Sequence, residues 1–135
     1  MINSVNEFLR LRMSVVKEEY DRATYDDAPI EVWFETINAH PEMKEWIIHN
    51  KTVPLEILYV LAIDRDPEVR SKVAAKRKID HKIFNQLSCD QDELVRHALM
   101  HNSMLSRDQL SLIKIDDSEW LQTSLKEIIE NKFFS

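Results

Sequence analysis

At 135 residues the chain is one domain's worth of sequence, long enough for a continuous core without covalent staples. It contains no glycine, which argues against an all-β fold or a phosphate-cradling loop, and a single cysteine, Cys89, which excludes an intramolecular disulfide framework. The net charge of −6 disfavours a dedicated nucleic-acid binder and suits a basic partner.

In chain order, residues 2–23 are expected to form one amphipathic helix. Asn3 or Ser4 can cap it, and Val5, Phe8, Leu9, Val15, Val16 and Tyr20 recur at near-helical spacing. Residues 1–24 then serve as a polar-faced cap for the helices beyond residue 29. Pro29 ends this segment, since it disfavours a helical residue before it and fits the first turn of a new helix.

From residue 29 the chain repeats itself. Leu58, Leu61, Asp64, Asp66, Val69, Arg70 and Val73 are matched 26 residues later by Phe84, Leu87, Asp90, Asp92, Val95, Arg96 and Leu99. Pro41 and Pro67 stand at the same offset, and Leu110, Ile113, Asp116, Ser118, Leu121 and Leu125 continue it with looser identity. The register divides residues 29–131 into four units, 29–53, 54–79, 80–105 and 106–131, each a pair of short helices. Asp66, Asp92 and Ser118 are N-caps at equivalent positions, and Ser106 with Gln109 is a capping-box pattern. Units this small bury their apolar faces by stacking on neighbours, so the expected fold is all-α, a right-handed α-solenoid of about four repeats forming one domain over 1–135. Caps and periodicity leave open whether each short second helix is α or 3-10.

The Asp64…Arg70 and Asp90…Arg96 pairs resemble the acidic-turn and arginine signature of HEAT repeats. The short period, with a leucine helix followed by Asp-x-Asp-Pro-Glu-Val-Arg, is similar to the leucine-rich-repeat variant of bacterial proteins, as is Asn50-Lys51-Thr52-Val53-Pro54. The resemblance is specific over about 41–102, weak over 29–40 and 103–131, and absent over the first helix. The resemblance implies binding and names no partner. One such family member carries an iron–sulfur cluster, whose cysteine cluster this chain lacks, so no cofactor is expected.

The Asp and Arg pairs are expected to tie adjacent repeats together. His97 and His101 have a metal-compatible spacing of four, but no third ligand is evident near them, Cys89 and Asp90 included, so a solvated or interface pair is expected and no metal site. Trp33 and Trp46, among apolar neighbours, are expected in the core, and Trp120, at the start of a helix, is a candidate interface anchor. No nucleophile–base pair or isolated carboxylate suggests an enzyme. No apolar run approaches a membrane span and the N-terminus lacks a signal-peptide core, so the expectation is a soluble cytoplasmic protein with no membrane partner.

Charge is unevenly spread. Residues 1–45 hold five basic and ten acidic side chains and residues 83–135 five and nine, whereas residues 64–82 hold seven and four. The leading expectation is a non-catalytic inhibitor or immunity protein that covers a basic toxic enzyme such as a nuclease, as small helical-repeat immunity proteins do in bacterial toxin systems. Glu42, Glu45, Asp116, Asp117 and Glu119, with Trp120, are the expected contact residues. The alternative is nucleic-acid binding of the kind seen in HEAT-like DNA-repair glycosylases, through Lys76, Arg77, Lys78 and Lys82. A regulatory scaffold of an enzyme complex is a third reading.

Overall fold

The computed structural model describes residues 1–133, and these are all-helical, with ten α-helices and no strand among them. They divide into two compact units, one of Met1–Leu61 and one that begins at Ala62, the boundary falling between the two helices of the second sequence repeat.

In the first unit, the stretch expected as one helix is two, α1 (Val5–Met13) and α2 (Lys17–Tyr25), packed on each other. Ser14 breaks the run. Its backbone is extended, its amide still donates to the Leu11 carbonyl, and its hydroxyl oxygen accepts the Val16 amide at 3.0 Å. This side chain competes with helix continuation, as serine does near helix ends, and two β-branched valines follow that lose rotamer freedom in a helix. Val15 and Val16, which helical spacing would turn inward, are consequently exposed, Val15 fully. Phe8 and Leu11 remain buried, and Arg22 joins α2 to α1 through Glu7 at 3.4 Å.

The rest of this unit comprises α3 (Ile30–Ala39), a 3-10 turn (Pro41–Met43), α4 (Lys44–His49) and α5 (Leu55–Leu61). Trp33 is fully buried with its ring edge-on to Phe8, centroids 5.1 Å apart, in line with its expected place in the core. Proline disfavours helical geometry at His40 and restarts the chain in a tight 3-10 turn.

The second unit runs α6 (Pro67–Ala74), α7 (His81–Ser88), α8 (Glu93–Met100), α9 (Arg107–Leu112) and α10 (Glu119–Phe133). The second helices of the two central repeats, α6 and α8, are therefore α-helical, and they pack on each other most extensively. Val69, Val73, Phe84, Leu87, Val95, Leu99, Leu110 and Leu121 form the buried apolar set. The two Asp-x-Asp motifs fold alike. Asp64 accepts the Asp66 amide and Asp66 caps α6 through the Glu68 amide; Asp90 accepts the Asp92 amide and Asp92 caps α8 through the Leu94 amide, each bond 2.9 Å. Ser106 and Gln109 form the reciprocal capping box on α9, and Ser118 accepts the Leu121 amide at 3.1 Å.

A chain without glycine cannot easily end helices with a left-handed residue, and no described residue has positive φ. Two buried asparagines supply the missing hydrogen bonds. Asn50 donates its amide to the carbonyls of Ala23 (2.9 Å) and Asp26 (3.0 Å) at the end of α2. Asn102 donates to Ala74 (2.9 Å) and Lys76 (2.8 Å) at the end of α6. Each asparagine oxygen also accepts an amide two residues on, from Thr52 or Met104. Replacing either asparagine by alanine strips buried carbonyls of their donor, and a loss of about 2–3 kcal/mol is expected in urea unfolding. The exposed Asn85→Ala control should shift by less than about 0.5 kcal/mol.

Candidate binding surfaces

The arginines that repeat at 26 residues are internal fasteners of the second unit. Arg70 makes a two-pronged bond to Asp90, Nε to Oδ2 at 2.8 Å and Nη2 to Oδ1 at 3.1 Å, and its Nη1 donates to the Asp64 carbonyl at 2.7 Å. Arg96, only 1% exposed, repeats the device: Nη1 and Nη2 reach the two Asp117 oxygens at 2.7 and 3.1 Å, and Nη1 donates to the Lys114 carbonyl at 2.7 Å. The planar guanidinium suits this because its donors form a fixed fork. By strict register the second partner would be Asp116; a one-residue slip makes it Asp117. Asp117, one of the expected partner-contact residues, is thus engaged by Arg96, while its side chain stays 46% exposed.

Beside Arg70 and Asp90 lies an open cleft of about 550 Å³, bordered also by Ile63, Arg65, Gln86, Cys89 and Gln91. The Arg70–Asp90 pair in its wall is satisfied within itself. Among the described residues, no three histidine, cysteine or carboxylate side chains converge on one metal position.

The first unit carries a different surface. The Arg12 guanidinium lies 3.3 Å from the Trp46 ring centre and 4.7 Å from that of Tyr20, so the cation sits between two aromatic side chains. Trp46, expected in the core, is 38% exposed. Helix α4 is too short to bury a full face: Met43, Ile47 and Ile48 point inward, and the indole is left outside against Arg12. Glu42 and Glu45 flank it in sequence. Glu42 is exposed and 3.2 Å from His40 Nδ1, and Glu45 is half-buried. Exposed Met13 and Val15 mark the neighbouring α1–α2 corner. The first unit has 6 basic and 11 acidic residues, a charge of −5; the second has 12 and 13, a charge of −1. The excess acidity of the chain is thus concentrated where this cation–aromatic cluster lies.

In the second unit three rings form a column. Trp120, 42% exposed, stacks on His97 with centroids 4.2 Å apart and planes 19° from parallel; His101 follows 4.3 Å from His97. Burial, and secondarily the neighbouring His101, hold the His97 pKa below the ordinary histidine value. Leu94, one turn earlier on α8, is exposed, as are Asp116 and Glu119. The basic run lies in the α6–α7 connection and the start of α7. There Arg77 touches the Met104 sulfur at 3.5 Å, desolvation lowers the Lys78 pKa, and the Lys76 carbonyl is held by Asn102.

No protein family, curated protein or solved structure matches this chain. Among the described residues no helix is long and apolar enough to cross a membrane. The Arg12–Tyr20–Trp46 cluster carries no sequence signal, because a continuous first helix would have set Arg12 and Tyr20 in another relation.

The Arg96 hydrogen bonds hold the Asp117 carboxyl below the usual carboxylate pKa of 3.8. A depressed acid contributes stability in full above its unfolded pKa and loses it as pH falls through the folded one. Asp117→Asn should therefore be less stable than the parent at pH 7, and the difference should narrow as pH falls below about 4. Urea midpoints measured across that range test this, and a difference that stays constant would contradict the pairing.

Proposed function

We propose that the chain is a helical-repeat solenoid that works without catalysis by binding another protein, as an inhibitor or immunity protein that neutralises a basic toxic enzyme such as a nuclease. The observation that carries this reading is the half-exposed Trp46–Arg12–Tyr20 cluster within a unit of net charge −5. Tryptophan, tyrosine and arginine are the residues that most often anchor protein interfaces, and here stacking holds the arginine in place before any partner arrives. Surrounding acidity would draw a basic enzyme in quickly and orient it. Glu42 and Glu45 are the charges nearest in sequence to the indole; Glu119, Asp116 and Trp120 offer a second contact region.

Recurrence of the Asp-x-Asp caps and the arginine fork at nearly the same interval supports the solenoid reading, since equivalent units are being fastened by equivalent bonds.

The test is capture of partners by the immobilised chain from nuclease-treated lysate, followed by assay of the retained protein's activity. A basic enzyme should be retained, inhibited by the chain, and released by salt in the range of a few hundred millimolar. Trp46→Ala, and separately the double variant Glu42→Lys/Glu45→Lys, should each weaken the complex about tenfold or more. Reversing Lys76, Arg77 and Lys78 to glutamate should leave it intact. Capture that survives high salt unchanged would reject charge steering. Capture that disappears on nuclease treatment, and with the Lys76–Lys78 reversal, would transfer the assignment to nucleic-acid binding.

A further inference from the structure

Helix α8 sets two imidazoles one turn apart on an accessible face, His101 exposed and His97 half-buried, with ring centres 4.3 Å from each other. His101 Nδ1 is 2.9 Å from the His97 backbone carbonyl oxygen. A carbonyl oxygen can only accept, so this nitrogen carries the proton, and neutral His101 keeps its lone pair on Nε2. Metal-binding histidines are commonly held this way, one ring nitrogen donating to a carbonyl while the other faces the ion.

His97 is held by another means. Its ring lies 4.2 Å from the Trp120 ring and nearly parallel to it. Stacking covers a face of the imidazole, but the lone pair lies in the ring plane and stays available. Metal–nitrogen bonds of about 2.1 Å meeting at the right angle of a square-planar or octahedral site, as Cu²⁺ and Ni²⁺ favour, would set two ring centres roughly 4.5 Å apart. The observed separation is close to that.

We propose that His97 and His101 form a two-histidine chelate for a late first-row divalent ion, Cu²⁺, Ni²⁺ or Zn²⁺. Imidazole nitrogen suits these ions. Among the described residues no third protein ligand joins the pair, so the remaining coordination positions are open to water or to a donor brought by a bound molecule. The proposal does not rest on the inhibitor reading, although Trp120, which stacks on His97, belongs to the second contact region of that reading.

Calorimetric titration with Ni²⁺ and Zn²⁺ on the full chain tests it, in a Cys89→Ser background because that thiol is exposed. One ion per chain should bind. His97→Ala and His101→Ala should each abolish this saturable binding, while the triple variant His40→Ala/His49→Ala/His81→Ala should retain it. Cu²⁺ should quench the tryptophan emission, and Trp120→Phe should remove most of the quenching while leaving Ni²⁺ affinity nearly unchanged. Absence of saturable binding, or binding that survives loss of both His97 and His101, would overturn the proposal. Circular dichroism of each variant separates loss of the site from loss of the fold.

Discussion

Every short helix must find partners for the backbone groups at its ends, and this chain must do so without glycine. Helices of six to ten residues predominate, so terminal amides and carbonyls are a large share of all backbone polar groups. Side chains take over the work. Asp66, Asp80, Asp92 and Ser106 receive amides at N-termini, and Asn50 and Asn102 hand two amide hydrogens each to carbonyls at or just beyond C-termini. Lys132 holds the Ser103 and Leu105 carbonyls of the α8–α9 connection. Within each unit these long-range bonds define which segments can lie side by side, because a buried asparagine satisfied by two specific carbonyls tolerates no slip.

The arginine forks extend the same logic from neutral groups to charges. Burying Arg96 almost completely is costly unless its charge is paired, and Asp117 with the Lys114 carbonyl offsets that cost. The chain accepts a one-residue slip from its own repeat to reach this pairing. Contact with the guanidinium outweighs strict register.

Using polar side chains internally also decides what remains for recognition. Once the Asp caps, the two asparagines and the arginine forks are engaged within the units, the outward-facing groups with distinctive chemistry include Arg12 between Tyr20 and Trp46, and the column of Trp120, His97 and His101. Both clusters are ordered by ring contacts before anything binds. Preorganised aromatic groups lose little conformational freedom on association, which makes them efficient contact points.

Sequence alone determined the helical class, the N-caps at Asp66, Asp92, Ser106 and Ser118, and the burial of Trp33. These depend on local hydrogen bonding and on apolar spacing, which adjacent residues carry. It also pointed to Trp120, at a helix start, as a candidate interface anchor, and the indole is exposed. Only tertiary structure decided the outward turn of Trp46 and the choice of Asp117 over Asp116, while the break at Ser14 rests on a local bond that the apolar pattern did not reveal. At Ser14 a hydroxyl outcompeted a helix whose apolar pattern ran straight through it. At Trp46 a helix too short to bury a full face sent Ile47 and Ile48 inward and left the indole to meet Arg12. At Asp117 a guanidinium 21 residues away selected between adjacent carboxylates by reach. The last two outcomes were settled by groups that only the folded chain brings together.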